Sequence, residues 1–194
     1  PIARLVATRL SKEDFPVKLY YNQNVYVRNK SLAGRADETE QSGIEFIGDG
    51  SIDADIEVIS MAYEALKRNN VASFKLELCH AGFFKSILNK MDITATQKAD
   101  ICKLIECKNY AALCDMLAKF PDSKAADVIK KLPRLFGDVS VINEAKKIYN
   151  DEKSNEALDY LRSVYEKLCD MGLGDNITID LGLVNRSNYY TGVI

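Results

Sequence analysis

Hydrophobic residues recur along this sequence with two different periods, and the change of period marks its elements. Apolar residues within positions 1–10 follow a helical spacing, which predicts a helix. Residues 18–28 and 40–48 alternate between apolar and polar, which predicts strands, the first of them broken or bent at the polar residues 22–24. Asp53 then precedes a second predicted helix, over residues 54–69.

A long helical block occupies the middle of the chain. After a third predicted strand at residues 74–79, the spacing is almost wholly helical from residue 82 to residue 172. Pro121, Pro133 and Gly137 divide this block into about five short segments. The shift in pattern indicates an inserted helical subdomain.

Alternation returns after the helical block. Residues 176–184 and 189–194 predict two more strands, so we expect the sheet to be completed across the insertion. The predicted fold is α+β, an antiparallel sheet flanked by helices. Residues 1–81 and 173–194 would form the sheet core, and residues 82–172 the helical insertion.

Composition and charge exclude several classes of protein. The 194 residues are 47% hydrophobic, enough to bury a core, so a disordered chain is excluded. The 26 basic and 28 acidic residues nearly balance, which leaves no diffuse cationic field for nucleic acid. No apolar run approaches the ~18 residues of a membrane span, and no secretory signal opens the chain. We therefore expect a cytoplasmic protein.

Cysteine and histidine usage argues against a metal site. The five cysteines are an odd number without a CxxC pair, and His80 is the one imidazole. We expect reduced, mostly buried thiols, no metal and no cofactor, and a structural role for His80 after its strand. The cysteines are Cys79, Cys102, Cys107, Cys114 and Cys169.

Two polar clusters are candidates for a binding site. In the first, Arg28 ends a strand, Arg35 follows in a loop, and Gln41 and Glu45 are four residues apart, so they share one face of the next strand. An arginine there can hold a carboxylate or phosphate, while the amide and carboxylate can contact an amine or imidazole. Without further support, a solvated sheet face is the simpler interpretation.

The second cluster spans residues 180–192 and ends in Tyr189, Tyr190, Thr191 and Gly192. Adjacent residues of a strand point to opposite faces, so one tyrosine belongs to the core and the other can line a site. An ordinary strand, turn and strand is the alternative.

Both clusters resemble one family. Residues 25–28, 33–35 and 40–48 resemble the second signature motif of class II aminoacyl-tRNA synthetases in its histidyl form. Residues 183–192 resemble the histidine-specific motif of that enzyme, close to LVRGLDYYTG. The resemblance implies a dimeric class II core.

It also assigns ligand contacts. Glu45 and Tyr190 would contact the imidazole of histidine, Gln41 the α-amino group, and Arg28 the α-carboxylate. Arg28 and Arg35 would mark a vestigial nucleotide site.

Departures from the synthetase pattern point to lost catalysis. Lys30 and Ser31 stand where the motif has a glutamate and an arginine that help hold ATP, and Asn185 replaces the arginine of the LVRG step. Arg186 lies one residue along, on the other face of a strand. A cation missing where negative charge develops can cost about 10²- to 10³-fold in rate. No catalytic residue is therefore predicted.

Residues 1–10 and 78–84 resemble regulatory subunits of ATP phosphoribosyltransferase. That resemblance implies a non-catalytic subunit required for the first step of histidine biosynthesis. Its partner would be a short-form catalytic subunit, with histidine as the feedback effector and a homodimer within the hetero-oligomer. Two alternatives remain open: a synthetase core that still makes histidyl-adenylate, and a paralogue with a vestigial pocket. Asn188, in place of the usual aspartate, leaves histidine binding itself open.

Overall fold

The chain folds as two units, residues 1–62 and residues 63–194, and each is described by itself. The computed structural model describes residues 2–28, 34, 36–184 and 190–194. Among the helices within those ranges, none combines the length and apolar character that a membrane span requires.

A two-stranded antiparallel ribbon dominates the first unit, after helix α1 (Ile2–Arg9). Strands β1 (Val17–Tyr26) and β2 (Glu38–Ile47) pair along their whole length. The break predicted at residues 22–24 is absent, because the side chains there bond across the ladder. The Asn22 amide donates to Glu40 at 3.0 Å and the Asn24 amide to Glu38 at 2.6 Å.

Helix α2 (Ile52–Arg68) begins two residues earlier than predicted, and its cap is Ser51 rather than Asp53. The Ser51 hydroxyl accepts from the Ala54 amide at 3.3 Å, satisfying one of the free amides at a helix start. Asp49 accepts from the Ser51 amide at 2.8 Å, and this hydrogen bond lowers the pKa of Asp49. The turn before α2 is thereby fixed by its own side chains.

An exposed ion pair connects the ribbon to α2. Lys18 of β1 donates to Glu57 of α2 at 2.6 Å, and its ammonium lies 4.5 Å from the centre of the Phe46 ring. Lys18 and Phe46 are opposite each other in the ladder, so both lie on the same face of the ribbon.

Helices make up most of the second unit, as the spacing predicted. Each of the first four has a side-chain cap at its start, including a capping box at Thr94 and Gln97. The first and last of the block pack against each other around fully buried side chains such as Phe83 and Leu161. The helices are α3 (Ala81–Leu88), α4 (Ala95–Glu106), α5 (Tyr110–Leu117), α6 (Lys124–Lys131), α7 (Ser140–Ile148) and α8 (Glu152–Asp170).

A three-stranded sheet, in the order β3-β5-β4, closes the second unit. Strand β5 (Ile177–Asp180) pairs with β3 (Leu76–Leu78), so the sheet is completed across the helical block as predicted. This pair is parallel, however, whereas the prediction was antiparallel throughout. The helical block supplies the long crossover that a parallel pair needs. Strand β4 (Phe136–Gly137) lies inside the predicted helical block and was missed.

The last five residues form a single bridge rather than the full strand predicted over 189–194, of which residue 189 lies outside the described ranges. His80 and Val193 are bridge partners. Cys79 and Ile194 exchange both backbone hydrogen bonds, at 2.9 and 2.8 Å.

The cysteines are free thiols, but the expectation that most are buried is wrong. Cys79 is fully buried, and that burial raises its pKa to about 12. Cys107 is exposed as the C-cap of α4, and Cys114 is exposed on α5, whose buried residues are Leu113 and Leu117.

Candidate functional site

Gln41 and Glu45 share a face of the ribbon with the residues opposite them. The ladder pairs Gln41 with Gln23, Gly43 with Tyr21 and Glu45 with Leu19. Paired residues of an antiparallel ladder lie on the same side, so these six form one face, which we call the Glu45 face. Gln41 and Glu45 are four residues apart, about 13 Å of strand.

Tyr21 fills the space between them. Gly43 has no side chain, and the Tyr21 ring lies directly over it: a Cβ at position 43 would be 2.5 Å from both Cζ and the hydroxyl oxygen of Tyr21. The ring therefore covers the strand between the amide of Gln41 and the carboxylate of Glu45. Sequence reasoning missed Tyr21, although a tyrosine opposite a glycine in the predicted ladder is a usable signal.

Three polar side chains of the Glu45 face have no partner among the described residues. Within the part of the chain that the structure describes, no hydrogen bond or ion pair engages the side chains of Gln41, Glu45 or Tyr21. On the opposite face, by contrast, Asn22 and Glu40 bond to each other. An amide, a carboxylate and a hydroxyl on one half-covered face can thus bind a ligand that carries both donors and acceptors.

The Tyr21 ring disfavours any side chain at position 43, which is testable. Gly43→Ala is expected to lower the free energy of unfolding by about 1–3 kcal/mol, the usual cost of overpacking, because the ring must move. In a Tyr21→Ala background the same change should cost close to nothing, since alanine is otherwise acceptable in a strand. Urea unfolding of the four proteins measures both costs. Equal costs in the two backgrounds would show that the ring does not occupy this position.

Arg28 comes after the end of β1. Beyond the end of β1, the Val27 amide donates to the Asp37 carbonyl at 2.8 Å, so Arg28 lies at the level of residue 36. Arg28 and residue 36 both lie outside the two strands, whereas Glu45 is within β2. The pairing of an imidazole at Glu45 with a carboxylate at Arg28 stays a prediction. Arg35 lies outside the described residues.

Tyr190 belongs to the second unit. The residue is 43% exposed, and the Lys85 ammonium on α3 donates to its backbone carbonyl at 2.5 Å. Two residues further on, the Gly192 carbonyl accepts from the Ala81 amide at 2.9 Å. Sequence reasoning did not single out Lys85, because a contact across 105 residues leaves no local pattern. Lys30, Ser31, Asn185, Arg186 and Asn188 lie outside the described residues.

His80 is structural, as expected. It is the cap of α3, where Nδ1 accepts from the Gly82 amide at 3.1 Å, and its ring meets Tyr160 edge-on with centres 5.6 Å apart. His80 and Tyr160 also line an open cleft of about 460 Å³ between α3 and α8, together with Lys85 and Lys153. Across residues 2–28, 34, 36–184 and 190–194, no three His, Cys, Asp or Glu side chains are grouped to hold a metal ion.

A histidyl-tRNA synthetase family model matches residues 1–194, the whole of the chain. The chain belongs to the histidyl-tRNA synthetase family. Its fold is therefore that of a class II synthetase core, which confirms the α+β prediction. Membership in this family does not by itself show that the chain is a synthetase, because relatives of the chain carry names other than histidyl-tRNA synthetase.

Two relatives within the histidyl-tRNA synthetase family carry such names. The chain is 42% identical over 197 residues to an ATP phosphoribosyltransferase regulatory subunit from Clostridium novyi, and spans 100% of itself and 47% of that protein. It is also similar to a solved ATP phosphoribosyltransferase regulatory subunit/histidyl-tRNA synthetase from Bacillus halodurans, with 33% identity and a TM-score of 0.87. That match covers all of this chain and 50% of the other. The chain thus spans about half the length of the relatives it matches.

A second solved structure shares the fold. The ATP phosphoribosyl transferase (HisG:HisZ) complex from Thermotoga maritima aligns with a TM-score of 0.71 at 19% identity. The match covers 100% of this chain and 68% of the other. At this identity the likeness concerns the fold alone.

Proposed function

We propose that this protein is a non-catalytic regulatory subunit of ATP phosphoribosyltransferase, the enzyme of the first step of histidine biosynthesis. The observation that carries the proposal is the 42% identity, over the whole chain, to a relative of that name. The partner is a short-form catalytic subunit. A chain of the ATP phosphoribosyl transferase (HisG:HisZ) complex from Thermotoga maritima shares the fold. The assembly acts in the cytoplasm, with a homodimer of this subunit inside it.

Histidine is the effector in this proposal. The side chains of Gln41 and Glu45 share a face and have no protein partner among the described residues, which suits a ligand with an α-amino group and an imidazole N–H. The family resemblance adds Tyr190 as a second contact to the imidazole. The family resemblance also adds Arg28 as the contact to the α-carboxylate, and Arg28 and Arg35 as a vestigial nucleotide site.

A second candidate is a synthetase core that activates histidine with ATP. The full-length family match and the double name of the Bacillus halodurans relative favour it. The sequence opposes it, since Lys30 and Asn185 replace residues that the synthetase motifs use for ATP and for the reacting phosphate.

ATP–pyrophosphate exchange separates the two candidates. The intact protein is expected to show no histidine-dependent exchange, because losing one transition-state cation costs about 10²- to 10³-fold and the ATP contacts are also replaced. Asn185→Arg alone should restore little, since groups that act together are not additive. A histidyl-tRNA synthetase assayed in parallel is the positive control. Exchange at the rate of that enzyme would overturn the regulatory proposal.

A further inference from the structure

The cleft between helices α3 and α8 belongs to the second unit and has an apolar floor. Gly82 of α3 faces the buried Ala157 of α8: a Cβ at position 82 would be 3.4 Å from the Cβ of Ala157. The rings of His80 and Tyr160 border the same space. At about 460 Å³, the cleft is within the ~300–1,000 Å³ that small-molecule sites span.

Hydrogen-bond donors line the rim of this cleft on the side of α3. The half-buried Lys85 donates to the Tyr190 carbonyl at 2.5 Å, which engages one of the three N–H groups of its ammonium. The side-chain oxygen of Asn89 accepts from Lys98 at 2.9 Å, so the NH2 group of Asn89 is left as a donor. A ligand that supplies acceptors therefore suits this side of the cleft.

Lys153 brings a second ammonium to the rim, from α8. It has no hydrogen bond or ion pair in the part of the chain that the structure describes. A hydrogen bond from Lys90 lowers the pKa of Asp151, and the charge of Lys153 lowers it further, but the Asp151 carboxylate is bonded to Lys90, at 3.1 Å. Among the described residues that line the cleft, Glu156 carries the one carboxylate, so ammonium groups outnumber carboxylates there.

We propose that this cleft is a binding site for a small organic anion, a carboxylate or phosphate group carried on a flat apolar body. The anionic oxygens accept from the Lys85 and Lys153 ammonium groups, because hydrogen bonds between charged partners are the strong ones. The apolar body packs on the floor formed by Gly82 and Ala157. The site does not use the Glu45 face, so the inference is independent of histidine binding.

Calorimetric titrations of the intact protein with phenyl phosphate and with benzoate test the site. Both probes carry one ring and differ in the anionic group, so their relative affinity shows whether the cleft prefers phosphate or carboxylate. Inorganic phosphate lacks the ring and should bind at least about 10-fold more weakly than phenyl phosphate, because it buries no apolar area. Benzylamine has the ring with the opposite charge and should not bind. Benzylamine binding as tight as that of phenyl phosphate, or binding of neither anion at millimolar concentration, would overturn the inference.

Two substitutions show whether the anion is bound in the cleft. Lys153→Met should weaken phenyl phosphate binding by about 10-fold, the low end of the range for a hydrogen bond to a charged group, because the cleft is open to solvent. Lys85→Met should weaken it similarly. Lys124→Met is the matched control, since Lys124 is an exposed lysine of the same unit, on α6, and does not line the cleft.

The control variant should bind phenyl phosphate as the wild type does. Equal losses in Lys153→Met and Lys124→Met would mean a general effect of charge and would overturn the inference. Unchanged affinity in both cleft variants would overturn it too. Thermal unfolding of each variant checks that the fold is kept.

Discussion

Phe83→Ala is expected to lower the free energy of unfolding of the second unit by about 3–5 kcal/mol, the range for removing a buried phenylalanine. Phe83 is fully buried on α3, at the packing of α3 against α8. Its loss removes the transfer free energy of the ring and leaves a cavity that fixed helices cannot close. The free energy of unfolding of a domain is only about 5–15 kcal/mol, so this substitution would remove a large part of it.

The measurement is urea unfolding followed by far-ultraviolet circular dichroism, which reports on the helices of the second unit. Phe136→Ala is a matched control, since Phe136 is in the same unit but 53% exposed on strand β4. That substitution should stay within about 0.5 kcal/mol, as surface changes do. Similar losses in the two variants would show that α3 does not form the core of the unit.

Helices could be predicted from the sequence more completely than the strands. The helical spacing of α8 extends over 19 residues, with a buried stripe that includes Leu158, Leu161 and Leu168, so its pattern is unambiguous. Strand β4 has two residues and no period at all. Alternation also cannot distinguish parallel from antiparallel pairing, because both have a period of two. The parallel pair of β3 and β5 follows from the crossover between them.

The candidate site was likewise predicted only in part from the sequence. Even spacing predicted that Gln41 and Glu45 share a face, and the ladder agrees. The place of Arg28 depended on the register, which is decided by the whole ribbon rather than by any local motif. Tyr21 contacts Gly43, and Lys85 donates a hydrogen bond to the Tyr190 carbonyl. Both contacts join residues that are distant in sequence. Such contacts can be found only once the register and packing are known.

Glu45→Ala is expected to weaken histidine binding by about 1.5–3 kcal/mol, or about 10- to 150-fold, the range for a hydrogen bond to a charged group. The carboxylate is half-buried on the Glu45 face and has no protein partner among the described residues. A partly buried carboxylate is costly unless a donor reaches it, and the imidazole N–H of histidine is such a donor. Because no internal hydrogen bond is lost, the fold should be unaffected.

Calorimetry on the wild type and the variant gives the change in affinity. Glu40→Ala is the matched control: Glu40 is on the same strand with the same charge, but it faces the other side and accepts from Asn22. Its removal should leave histidine affinity unchanged. A loss shared by both variants would indicate a general effect of charge rather than a specific contact.

The same variant then tests regulation in the complex. Effector affinity and the shift that the effector imposes are linked, so the Glu45→Ala assembly should need about 10- to 150-fold more histidine for the same inhibition of the phosphoribosyltransferase. Assembly with the catalytic subunit and the activity without histidine should be retained, because the Glu45 face is occupied by the effector in this proposal and not by the partner. Unchanged inhibition in Glu45→Ala, with histidine still bound by the assembly, would place the regulatory site on the catalytic subunit instead.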